Sequence, residues 1–255
     1  ILLNRLAHPS HLQSMVRMFG RTVSELSLIS NALLDHVFDL FVPAKLSMEQ
    51  RWITDNLDSF CQAIETKGSP VRQCAFFIDG TVRPTCRPTY NQQDLFSGHK
   101  RYHGLKYQSV VAPNGLIADL AGPYPARRHD CWLLGQSQVI HKVSALPTQV
   151  FMYGDPAYHL QNNMICGFKG NISPEQQEFN SSMNRLRQSV EWTFGKITNL
   201  WSFLDVKRNQ KIYQSAVGKQ YIVAALLTNC HTCLYGSQTG TYFGLSPPSL
   251  EEYLQ

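Results

Sequence analysis

Cys74-Ala75-Phe76-Phe77-Ile78-Asp79-Gly80-Thr81 sets the frame for everything around it. Its compact apolar run predicts a buried strand that ends on a polar tip at Asp79-Gly80. Further on, His103 to Ala112 is a second strand candidate. Pro113-Asn114-Gly115 is a turn signal, and Leu116 to Ala121 pairs back as a third strand. Asp130 to Val143 reads as a helix. Val150-Phe151-Met152-Tyr153 is a fourth strand, again finishing on a carboxylate in Gly154-Asp155. A polar stretch from Asn162 to Phe179 is loop-like. Met183, Leu186, Val190, Phe194, Ile197, Trp201 and Leu204 then share one face of a long helix. A further apolar helix runs from about Gln220 to Leu227. The order predicts a mixed α/β domain, an antiparallel hairpin joined to a crossover strand and flanked by helices.

Upstream of this block the period is helical. A helix is expected over Leu12 to Phe19, ending near Gly20. Thr22 and Glu25 have capping-box spacing ahead of Leu26, Ile29, Leu33, Leu34, Val37 and Phe38. Ser47 and Gln50 repeat the start signal before Ile53, Leu57, Phe60 and Ile64. These helices form either a packing collar or a helix-turn-helix DNA module; the scattered basic residues favour the collar. The chain thus divides into a helical region at 1–70, a mixed α/β domain at 71–235 and a tail at 236–255.

With 255 residues, 43% hydrophobic and 11% aromatic, the chain has enough apolar surface for a large core, which argues against disorder. Its net charge of +5 is compatible with a polyanionic partner. Seven cysteines, an odd number, point to a reducing compartment rather than a disulfide framework. No apolar run approaches bilayer length, so no membrane role is expected. The sequence starts at Ile1 without a basic-then-apolar leader, as an excerpt of a longer protein would, and no targeting signal can be read from it.

Chemistry is expected where strand ends bring distant residues to one rigid edge. Asp79 and Asp155 hold such positions, and Glu191 lies beside the buried-face residue Val190 on the long helix. Three carboxylates without a cysteine ligand suit a hard ion, Mg²⁺ or Mn²⁺. A pair of such ions about 4 Å apart activates water and steadies the leaving oxygen of a phosphodiester. Each carboxylate also has a plainer reading. Asp79-Gly80-Thr81 can be a turn, Gly154-Asp155-Pro156 a strand exit, and Glu191 the partner of Arg187 one helical turn earlier.

Taken in order, the motifs resemble the DDE-type transposases of the PIF/Harbinger group and their domesticated nuclease relatives. The resemblance is carried by Phe77-Ile78-Asp79-Gly80-Thr81, Ser97-Gly98-His99-Lys100-Arg101, Arg128-His129-Asp130 and Gly154-Asp155-Pro156-Ala157-Tyr158. It continues in Phe179-Asn180, Arg187-Gln188-Ser189-Val190-Glu191 and Phe194-Gly195-Lys196, with 35 residues between Asp155 and Glu191. One departure is Ala126, where the family often has Gly. The resemblance implies an RNase H-like fold and a metal-binding catalytic triad of Asp79, Asp155 and Glu191. It also implies in-line attack by water or a DNA 3′-hydroxyl on a phosphodiester, and two Mg²⁺ or Mn²⁺ ions in the active complex. A separate Myb-like DNA-binding partner protein, a homodimer and a nuclear location are further implications. A non-cutting DNA- or protein-binding module that retains the fold is the alternative reading.

Supporting residues also have two readings. His129 and Asp130 either begin a helix or stand behind the metal-binding carboxylates. Arg127 and Arg128 would grip phosphates near that helix start or be ordinary surface charges. Arg83, Lys100, Arg101 and Lys106, interleaved with Tyr90, His99, Tyr102 and His103, suggest a phosphate-tracking surface; a solvated loop and strand is the alternative. Arg187 and Lys196 flank Glu191, where they would hold the DNA strand or solubilise the helix. Cys230-His231-Thr232-Cys233 invites a zinc reading but lacks a second ligand pair, so a helix end with partly buried thiols is preferred.

Overall fold

The computed structural model describes residues 1–255. Five helices open the chain: α1 (Leu2–Ala7), α2 (Leu12–Phe19), α3 (Val23–Lys45), α4 (Arg51–Thr54) and α5 (Leu57–Thr66). Next come β1 (Cys74–Pro84), α6 (Gln92–Leu95), β2 (Phe96–Ser97), β3 (Tyr102–Val111), β4 (Ile117–Pro125), α7 (Asp130–Ser137) and α8 (Val139–Ser144). The chain closes with β5 (Phe151–Gly154), β6 (Met164–Cys166), α9 (Pro174–Leu200), α10 (Val217–Tyr235), α11 (Gln238–Phe243) and α12 (Leu250–Leu254).

The strands build one six-stranded mixed sheet in the order β4–β3–β1–β5–β6, with β2 extending the far end of β3. β1, β3 and β4 pair antiparallel, whereas β1, β5 and β6 run parallel. The opening run of β1 is fully buried because the sheet is covered on both faces. Phe76 meets Phe60 of α5 edge-on at 6.1 Å, and the next residue, Phe77, stacks on Phe243 of α11 at 6.0 Å. Burying each ring contributes about 2 kcal/mol.

Several predicted boundaries move. β1 does not stop at Asp79: residues Gly80 to Pro84 continue in register with Gln108 to Gly104 of β3, so Asp79 is a mid-strand residue. The helix expected over Asp130 to Val143 breaks at Gln138, whose φ of 53° is left-handed. The polar stretch at 162–179 holds β6 and the first turn of α9. There Ser173 and Gln176 form a capping box around Pro174, a start signal upstream of the apolar face. Gln50 does not continue a capping box from Ser47; its amide donates to the carbonyls of Lys45 and Ser47 and closes the end of α3.

The N-terminal helices share the main core, from Leu2 and Leu34 to Ile222 and Tyr253. α3 packs on α10, where Lys219 Nζ lies 2.6 Å from Asp35, while α5 packs on β1. Although it has no long unbroken apolar run, α3 is long and apolar enough by length and composition to cross a membrane, contrary to expectation. It buries only Leu26, Ser30 and Leu34, leaving Leu28, Leu33 and Leu40 exposed. The tail is tied in through Asn229 of α10. This fully buried side chain accepts the Ile117 N–H (2.9 Å) and donates to the Ile117 carbonyl (2.8 Å) and the Tyr253 hydroxyl (3.0 Å). Tyr253 in turn donates to the Lys45 carbonyl (3.0 Å).

Candidate active site

In the parallel pairing of β1 with β5, Ile78 lies opposite Gly154. Asp79 and Asp155 are the next residues on each chain, so two carboxylates 76 positions apart in sequence leave neighbouring strands at one level. Gly154 is required for that approach: a Cβ there would lie 2.5 Å from Met164 and 2.8 Å from both Ile78 and Tyr158. Beyond it Asp155 folds its own exit turn, Oδ1 accepting the Ala157 N–H at 2.6 Å. Gly154-Asp155-Pro156 is thus a strand exit, as its plainer reading has it.

A cation comes from α9. Arg187 Nη1 donates to Asp79 Oδ2 at 2.7 Å, and Nη2 lies 4.0 Å from Asp155 Oδ2. The guanidinium spans the two carboxylates and is itself only 14% exposed. Asp79 Oδ1 accepts the Gly80 N–H at 2.8 Å. Burial pushes the Asp79 carboxyl above its ordinary range; Arg187 opposes the shift, while Asp130 and Asp155 add to it.

The third acid beside this pair is Asp130, in the first turn of α7. A Cβ on Gly80 would lie 2.3 Å from Asp130 Oδ1, so glycine lets this carboxylate sit against β1. Asp130 pairs with Lys106 Nζ at 3.0 Å, and Lys106 also donates to the Arg128 carbonyl at 3.1 Å. His129 precedes α7 and is exposed. Sequence reasoning did not single out the buried polar chain behind these acids. Ser137 donates to Gln108 (2.8 Å), and Gln108 donates to the Tyr158 hydroxyl (3.2 Å). Burial, reinforced by the charge of Asp130 and also of Asp79 and Asp155, raises the Tyr158 phenol well above its usual value. Only the position of Tyr158 three residues after Asp155 hinted at it.

Glu191 lies one turn along α9 from Arg187 and is exposed. The i,i+4 pair expected between them does not form, because Arg187 is committed to Asp79. Glu191 does not join Asp79 and Asp155 in a cluster close enough to hold an ion. Instead it lines a cavity of about 640 Å³ with Lys196 and His231.

The eight anticipated phosphate-facing cations separate into two groups. Lys100, Arg101, Arg127 and Arg128 are exposed; Arg127 pairs loosely with Asp94, and Arg128 lies 4.8 Å over the Trp132 ring. Arg83 is bound to Asp205 at 2.7 Å, Lys106 to Asp130 and Arg187 to Asp79. Lys196 donates to Thr232 and Gly236. Internal partners thus engage these four side chains.

The carboxylates of Asp79, Asp155 and Asp130 offer oxygen ligands, the kind a hard divalent cation takes. Asp79 and Asp155 are the pair that the adjacent strands bring to one level, with Arg187 standing between them. No three His, Cys, Asp or Glu side chains converge closely enough to hold an ion in this arrangement. The same is true of Cys230, His231 and Cys233, which lie along α10 rather than beyond its end. Burial pushes the Cys233 thiol up to about 12.

The family model described as DDE superfamily endonuclease matches residues 78–229, more than half of the chain and a span that includes Asp79, Asp155 and Glu191. Comparisons with curated proteins and with solved structures found no match.

Proposed function

We propose that this chain, which belongs to the DDE superfamily endonuclease family, is the RNase H-like catalytic domain of a PIF/Harbinger-type nuclease or transposase that cuts DNA phosphodiester bonds with divalent metal ions. The observation that carries the reading is the Asp79–Asp155 pair, held at one level by adjacent parallel strands and reached by a helix that also bears Glu191. The strand order, with an antiparallel hairpin beside a parallel crossover, supports the RNase H-like assignment.

Asp79, Asp155 and Glu191 would hold Mg²⁺ or Mn²⁺. Such ions lower the pKa of a bound water and stabilise charge on the phosphodiester oxygens. The chain's own residues prepare the place. Asp79 is fixed by the Gly80 N–H, Asp155 by its exit turn, and Lys106 holds Asp130 in place beside Gly80. Arg187 keeps two like charges together, and released from them it becomes a phosphate ligand. Lys100, Arg101 and Arg128 are the exposed cations for the flanking backbone. A separate Myb-like DNA-reading protein, a homodimer and a nuclear location complete the proposal and rest on the family resemblance alone.

Nicking of supercoiled plasmid with Mg²⁺ or Mn²⁺ is the test, comparing the native chain with Asp155→Ala. Nicking by the native protein, lost in a variant with unchanged circular dichroism, is expected. One observation favours the non-cutting alternative: Arg187 already neutralises Asp79, and Glu191 stands apart. Absent nicking, together with equal calorimetric uptake of Mn²⁺ by both proteins, would sink the catalytic reading.

Arg187 supplies a second expectation. An incoming cation must first break its charge-assisted bond to Asp79, worth about 1.5–3 kcal/mol. Arg187→Gln is therefore expected to bind Mn²⁺ about 10-fold or more tightly than the native chain by calorimetry. Weaker binding would mean that the guanidinium organises the acids rather than competing for them.

A further inference from the structure

Glu191 opens onto a feature that the cutting chemistry leaves unused. The cavity of about 640 Å³ between the second half of α9 and the α10–α11 junction is of a size that takes a small organic ligand. Its lining is mostly polar, which disfavours an apolar guest, and two features of it are specific.

The first is an unpaired cation. Lys196 Nζ donates to Thr232 Oγ1 (2.8 Å) and to the Gly236 carbonyl (2.7 Å) and has no carboxylate partner. An ammonium has three donors, so one N–H is left on a side chain whose position is already fixed. Burial lowers the pKa of this amine, the direction expected of a half-buried charge without a counter-ion.

The second feature is an aromatic face. His231 and Tyr235, one turn apart on α10, pack ring to ring at 4.7 Å, and Tyr235 is left 75% exposed. Burial and the nearby Lys196 lower the His231 pKa, favouring the neutral ring. A large exposed ring supported from behind by a second ring is a stacking platform for a planar group.

A fixed cation on α9 and an open ring on α10, lining one cavity, match the two ends of a nucleotide. We infer that this cavity holds one nucleotide of an unpaired DNA strand, its phosphate on Lys196 and its base on the Tyr235–His231 pair. The inference rests on the DNA-cutting reading. Lys196 lies nine residues along α9 from Arg187, about two and a half helical turns, so the unpaired nucleotide would sit apart from the Asp79–Asp155 pair.

The test uses the full chain in EDTA with two fluorescent duplexes, one blunt and one with a short single-stranded end carrying 2-aminopurine. Tighter binding of the unpaired end is expected, with quenching of 2-aminopurine as it stacks. Tyr235→Leu, at an exposed position, should abolish the quenching and weaken binding of the unpaired end about 10-fold, leaving the blunt duplex unaffected. Tyr235→Phe should behave as the native chain. Equal binding of both duplexes without quenching would overturn the nucleotide site and leave the cutting reading intact. A native chain that binds neither duplex would overturn both.

Discussion

Changing Asp79 to Asn is expected to reduce metal-dependent plasmid nicking by about a thousandfold without unfolding the protein. The amide keeps the shape of the side chain and one of its two acceptor oxygens, enough for the Gly80 N–H while the Arg187 contact is lost. It removes the negative charge that a divalent ion requires. Metal-ion catalysis supplies several kcal/mol of charge stabilisation, and each 1.4 kcal/mol is a factor of about ten in rate. Stability should change little. Burial raises the Asp79 pKa in the folded state, so its ionised form costs stability once the pH rises through that value; a neutral side chain escapes the cost. That gain offsets the loss of the Arg187 contact. The same shift sets a pH dependence: protons should begin to weaken Mn²⁺ binding at a pH above the ordinary carboxylate range. Single-turnover nicking with a thermal melt on the same samples reads both effects. A variant within tenfold of the native rate would remove Asp79 from the catalytic set.

The largest loss of stability is expected at Asn229, far from the acids. Asn229→Leu keeps the volume but strands the Ile117 N–H and carbonyl at the start of β4, and removes a donor to Tyr253. Each buried polar group left unpaired costs about 1–3 kcal/mol. The two stranded Ile117 groups together should cost about 3–5 kcal/mol, a fall in melting temperature of about 10 °C for a chain of this size; Tyr253 keeps its bond to the Lys45 carbonyl. Breaking the exposed Lys219–Asp35 pair should leave the melting temperature nearly unchanged by comparison. A melting temperature unchanged by Asn229→Leu would show that water or a shift of α12 replaces the lost bonds.

Period and punctuation exposed much of this architecture in the sequence. The run from Cys74 to Ile78 is the buried half of β1, and Tyr153-Gly154-Asp155 marks the end of β5. Thr22 and Glu25 make the capping box their spacing predicts. The remainder was hidden because it depends on contacts across the chain. β1 extends past Asp79 only because β3 offers Gly104 to Gln108 as partners, and no local signal announces this. The commitment of Arg187 to Asp79 joins residues 108 positions apart, whereas helix spacing suggested its neighbour Glu191. Likewise, Lys196 looks like a free surface cation until α10 and the turn after it bring Thr232 and Gly236 to its ammonium.

The Ile78–Gly154 register has a consequence for how such a protein can change. The lateral distance between Asp79 and Asp155 is set by the spacing of adjacent strands, about 4.8 Å. The number of residues connecting the two strands does not enter it. The connection may therefore lengthen or shorten by surface insertion, at the turn near Pro147 for instance, while the two acids keep their separation. Over evolutionary time the surface turns between them become free variables, where new target contacts can be tried without retuning the centre that would do the cutting.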